Sequence, residues 1–184
     1  MGSEADGRSG MDTDLRSELV ELRRLHAEAA AIVRGDDARI GLVVPAVSRW
    51  SAAQQSEHAL RVTLDALGEA EAAAAGGPAR PTDRGLTPGG ERVLAAGMIP
   101  RGLAEAPASY RASPAPTADA LRDLVARHDA LLARIEVSCE AFAASPLRLL
   151  HFALGGMTPA QWVRFGRIHL AHHLAIGREV VARG

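Results

Sequence analysis

Apolar residues recur at helical spacing in four long stretches of this chain, and no stretch alternates apolar with polar as a half-buried strand would. The first runs from about Asp12 to Arg34, with Leu15, Leu19, Leu22, His26, Ala29 and Val33 on one stripe. Asp12 or Thr13 can cap it, and Gly35 followed by Asp36 and Asp37 stops it. The second begins at Ser51, which forms an S-x-x-Q capping box with Gln54, while Trp50 can supply the hydrophobic staple. It carries Leu60, Leu64 and Leu67 into an alanine-rich stretch ending before Gly76-Gly77-Pro78. The third spans roughly Ala118 to Phe142 under a Thr117 cap, striped by Leu121, Leu124, His128, Leu131, Ile135 and Cys139, and Ser145-Pro146 breaks it. The fourth opens at Thr158-Pro159-Ala160-Gln161, a second capping box with proline where its missing N–H does no harm, and runs to about Ala182.

The connections differ in character. Residues 40–49 carry Ile40, Val43, Val44, Pro45 and Val47, and read as a short extra helix or an apolar loop over the helices. Residues 76–116 are rich in Gly and Pro, and only Glu91 to Ala96 looks helical. A connection this long is a lid, a binding loop or disordered. Four long helices with one long crossover predict an all-α four-helix bundle over residues 12–184, behind a polar, Gly/Ser-rich lead at 1–11 that reads as disordered. The composition agrees. Apolar residues make up 47% of the chain but aromatics only 3%, and abundant Ala, Leu, Arg and Glu favour helix.

Several function classes lose support on charge and chemistry. With 21 basic and 22 acidic residues, formal net charge is −1 and the arginines are spread out, so no footprint for nucleic acid is present. No apolar run approaches the ~20 residues of a membrane-spanning helix. The first ten residues hold no stretch resembling a signal peptide. Cys139 is the only cysteine, which excludes an internal disulfide and a cysteine-based metal cluster. A cytoplasmic protein with a small-molecule partner, and no nucleic-acid or membrane partner, is the expectation.

Chemistry concentrates in His169-Leu170-Ala171-His172-His173. His169 and His173 lie about 40° apart on the helix, one turn from each other, so their imidazoles aim at one point. In the zincin H-E-x-x-H helix that geometry grips a metal, but Leu170 stands where those proteases keep their general base. Trp162, Phe165, Ile176 and Val180 share the face of His169 and His173, which places the histidines on the apolar stripe. His172 falls at its edge. Buried imidazoles left without partners cost ~1–3 kcal/mol per polar group, and a shared metal ion relieves several at once. A third ligand must come from another helix, and His26, His58, His128 and His151 are all candidates on spacing alone. A lone histidine on such a stripe is ordinarily a satisfied core residue.

Trp50-Ser51-Ala52-Ala53-Gln54-Gln55-Ser56-Glu57-His58 resembles the W-S-x-x-Q-x-x-x-H start of helix two in the DinB/YfiT-like metal-binding superfamily. His169 to His173 is similar to that superfamily's final-helix H-x-x-H-H. Within it, the chain most resembles a DinB-like domain family of unknown function. Ile99-Pro100-Arg101-Gly102 with Ala106-Pro107 matches that family's I-P-R-G…A-P loop, and His151 to Trp162 matches the lead into its helix four in outline. The likeness covers about residues 12 to 180. It implies one metal held by His58, His169 and His173. Ile176 departs from the glutamine many members carry there, which touches a contact beside the metal rather than the ligands.

Three neutral histidines leave a coordination position open, as in catalytic zinc sites. Zn²⁺ or Ni²⁺ is expected first, and Fe²⁺, Co²⁺ or Mn²⁺ also suit imidazole ligands. Characterised DinB-like enzymes are thiol-dependent transferases, so the resemblance implies a low-molecular-weight thiol, activated at the metal, that attacks an electrophilic small molecule or opens a ring. A related transferase or hydrolase falls in the same class. The loop at 76–116 would cover the site, with Arg101 suited to an anionic group. Tyr110 could donate to developing negative charge, Glu57 could act as a base, and His172 and His151 belong around the ligands. Trp50 and Trp162 read as core anchors, and Cys139 as a core residue rather than a nucleophile. The alternative is a non-catalytic, metal-stabilised bundle that binds a small molecule or a protein partner. The Ala-rich face of helix two would allow a homodimer.

Overall fold

The computed structural model describes residues 15–34, 38–77, 81–102 and 106–184. Six α-helices and one short hairpin make up its regular structure, apart from two 3-10 turns. In chain order the helices are α1 (Leu15–Arg34), α2 (Ala52–Ala74), α3 (Pro88–Ala96), α4 (Ala118–Val137), α5 (Cys139–Ala144) and α6 (Pro159–Arg183). The fold is all-α. The expected lead at 1–11, the Asp12 or Thr13 cap, the stop at 35–37 and Pro78 lie outside the described residues.

Helix starts follow the sequence grammar. Ser51 and Gln54 exchange both bonds of a capping box at the start of α2, and Thr158 and Gln161 do the same for α6. Such a cap stabilises a helix by about 1 kcal/mol. Helix α3 begins earlier than expected, because Thr87 caps it and Pro88 sits at its first position. Residues 38–41 form a 3-10 turn that continues into an irregular segment rather than a full helix.

Two features depart from expectation. The third helical stretch breaks at Ser138, whose hydroxyl turns back to donate to the Arg134 carbonyl at 2.9 Å. That bond competes with the next backbone donor and redirects the chain into α5. An antiparallel pair, β1 (Leu149–His151) with β2 (Gly155–Met157), precedes α6. Three residues per strand are too few for alternation to show. Gly155, at φ +87°, makes a turn that a side chain would oppose.

Helices α4 and α6 each pack against both α1 and α2. Leu22, Leu60, Leu67, Leu131, Leu132, Ile135, Phe142 and Leu170 form the dry interior between them. Glu18 of α1 receives Arg164 and Arg167 of α6, and Arg164 also donates to the Leu94 carbonyl at 2.8 Å, pinning α3 in place. The approach of α2 to α6 is close. A Cβ on Gly166 would stand 3.1 Å from the Thr63 methyl. None of the described helices is long and apolar enough to cross a membrane.

Candidate metal centre

The α2–α6 seam brings three imidazoles together. His58 comes from the second turn of α2, and His169 and His173 lie one turn apart on α6. One nitrogen of each ring lies within 4.8 Å of the others, and the ring centroids are 4.5 to 5.1 Å apart. Among the described residues no other His, Cys, Asp or Glu side chains gather this way. His58 and His169 are buried, and His173 is the most open of the three. Burial pushes all three below the ordinary histidine range, His169 and His173 well below, and each ring's neighbours among the histidines add to that. Neutral imidazoles with free lone pairs result, which is the state a metal needs.

Outer contacts select the nitrogen. His58 donates from Nδ1 to the Tyr110 carbonyl at 2.6 Å, and His173 donates from Nδ1 to Gln55 Oε1 at 2.6 Å. Oxygens of this kind only accept, so both rings keep Nε2 bare. His169 Nδ1 is buried with no partner at all. Two rings with a bare Nε2 and a third with an orphaned buried nitrogen, gathered at one seam, fit a divalent ion that prefers nitrogen ligands.

Aromatic walls flank the cluster. Trp50 was expected in the core, but it is half-exposed with its ring 5.0 Å from that of His58. It sits before the capping box, outside the helix, so the apolar stripe of α2 does not carry it into the core. Trp162 is a core residue as expected. Phe165 lies 5.5 Å from His169 and 4.8 Å from His151, a role no motif singled out.

The other candidate residues take varied places. His172 stacks edge-on to His173 at 5.0 Å and bonds the Ile99 carbonyl, tying the Ile99–Gly102 loop to α6. Arg101 on that loop donates to Glu179 at 2.7 Å and is half-exposed. Tyr110 serves His58 through its carbonyl. Its side chain lines a cavity of about 510 Å³ between α2 and α4, beside Leu64, Asp65 and Glu69. Burial and those two carboxylates push its phenol up. Glu57 is buried and accepts both the backbone N–H and the hydroxyl of Ser113 at 2.6 Å, so its oxygens face the 106–117 segment. His151 accepts the N–H groups of Ala153 and Leu154 at 3.1 Å, which anchors the hairpin turn, and burial lowers its pKa to about 4. His26 and His128 lie on α1 and α4, stacked on each other. Cys139 is buried in the core.

Gln55, Ser48 and Ser113 were not legible as site residues. Gln55 stands one turn before His58 on α2, and that spacing was the one available signal.

A mostly helical protein with a buried three-histidine cluster that could hold a metal ion is the class that fold and site define. The sequence profile of the DinB superfamily matches residues 21–176, and the chain belongs to that superfamily. No curated protein and no solved structure matches it significantly.

Proposed function

We propose that this protein is a metal-dependent enzyme built on a DinB-type four-helix bundle, with His58, His169 and His173 holding one divalent ion. The observation that carries the reading is the cluster itself: three imidazole nitrogens from two helices within 4.8 Å, two of the rings committed to Nδ1–H by outside acceptors. A divalent ion held there supplies a Lewis acid that brings the pKa of a bound water or thiol into the physiological range.

The reaction class we favour is transfer of a low-molecular-weight thiol to an electrophilic small molecule. The chain's own groups suit it. Trp50 and Phe165 wall the cluster with apolar surface. Arg101 can pair with a carboxylate of thiol or substrate, because Glu179 retains Arg183 at 2.9 Å when Arg101 leaves it. The near-zero net charge favours a small-molecule partner over nucleic acid, and a lone buried cysteine suits the cytoplasm.

Elemental mass spectrometry on the parent, His58→Ala and His169→Ala tests the site. A near-stoichiometric first-row metal in the parent, lost in both variants, is the expected outcome. Folded protein that stays empty after incubation with Zn²⁺, Ni²⁺ and Mn²⁺ overturns it. Metal-dependent consumption of a thiol in the presence of electrophiles then separates an enzyme from a bundle in which the ion only bolts α2 to α6.

A further inference from the structure

Control over His173 comes from a residue outside the cluster. Gln55 is 3% exposed and lies one helical turn before His58 on α2. Both ends of its amide are committed. Nε2 donates to Ser48 Oγ at 2.9 Å, and Oε1 accepts from His173 Nδ1 at 2.6 Å. The Trp50 backbone N–H donates to the same Ser48 oxygen at 2.9 Å, which holds the hydroxyl in place from the loop side. With its donor end drawn to Ser48, the amide presents its acceptor end to the imidazole. An amide oxygen cannot donate, so the neutral His173 ring carries its proton on Nδ1 and keeps the lone pair on Nε2. His58 receives the same direction from a backbone carbonyl, which no substitution can remove. Gln55 is the point where a side chain sets the choice.

We infer that Gln55, braced by Ser48, is the positioning residue that fixes His173 in its Nδ1–H tautomer and presents Nε2 to the cluster. The inference rests on the metal reading for its effect on affinity, but the tautomer is a property of the metal-free protein. Without the acceptor, the proton is free to move to Nε2, and the lone pair left for a metal on that nitrogen is lost.

Two readouts test it on the full chain. Long-range ¹⁵N–¹H NMR of metal-free protein reports the His173 tautomer, and chelator competition reports Zn²⁺ affinity. The parent should show Nδ1–H. Gln55→Leu should lose that preference and bind Zn²⁺ roughly 10–100-fold more weakly, the range typical of lost outer-shell partners. Gln55→Glu keeps an acceptor, so it should keep the tautomer and bind Zn²⁺ at least as tightly as the parent. Ser48→Ala removes only the brace and should shift both readouts in the direction of Gln55→Leu by less, which covers the case of a leucine variant that does not fold. A parent with Nε2–H, or tautomer and affinity unchanged in both variants, overturns the inference. A parent with Nδ1–H that takes up no Zn²⁺ sinks the metal reading and supports the tautomer assignment.

Discussion

His128 is wholly buried, and neither of its ring nitrogens finds a partner. It lies against His26 with ring planes 8° apart and centroids at 4.7 Å. His26 is better served, with Nε2 3.2 Å from the Val125 carbonyl and Nδ1 3.3 Å from Asp129. Burial, aided by His26 and Arg23, pushes His128 down to about 3. The folded-state value thus lies below the unfolded one, so the unfolded chain binds the extra proton between them. Its stability contribution is intact above about pH 6.5 and lost as pH falls toward 3. From neutrality to pH 4 the loss amounts to about 3 kcal/mol at 1.36 kcal/mol per pH unit. Urea unfolding of the parent against His128→Leu across that range should show a shallower acid slope in the variant, and equal slopes would refute the assignment. Spacing alone left His26 and His128 open as ligands, because a stripe position says a ring is buried and not what it meets. In the fold the two rings stack on each other.

One face of α2 is given over to a strap. Gln54, Glu57, His58 and Arg61 recur at i, i+3, i+4 and i+7, and each bonds the 109–114 segment. Glu57 and His58 are the buried members, so taking the Ser113 hydroxyl from Glu57 should free the strap before the helix. We expect Ser113→Ala to speed amide hydrogen exchange across 109–114, losing about 1–3 kcal/mol of local protection while α2 stays protected. Uniform exchange in both proteins would show that the strap is held by other means. The α2–α6 seam is equally specific. Gly166→Val must push against Thr63 and Leu67, at a cost of about 1–3 kcal/mol, and circular-dichroism melts should report it. An unchanged melting temperature would mean the seam has slack. Elements of this size were largely legible, since two capping boxes and three helix-breaking signals mark local backbone preferences. The break at Ser138 and the three-residue strands were not, because a single back-bonding hydroxyl and a short pairing leave no periodicity.

At the scale of the molecule, the cluster joins α2 to α6 across more than a hundred residues of chain, so an ion bound there would add to global stability. Free Zn²⁺ at about 100 times its Kd should add about 2.7 kcal/mol to the unfolding free energy, raise the melting temperature reversibly on chelation, and do neither in His169→Ala. A melting temperature indifferent to metal in the parent would remove the link. The sequence by itself determined that the chain is helical, where most of its long helices start, and that His169 and His173 share one face, since all of these depend on contacts a few residues apart. The DinB likeness pointed to His58 as their companion. Only the tertiary structure decided that His58 approaches them at the α2–α6 seam, that Glu57 turns to Ser113, that Tyr110 contributes its carbonyl, and that Gln55 directs His173. Those outcomes depend on which faces meet between segments up to 118 residues apart, and local pattern carries no information about that meeting.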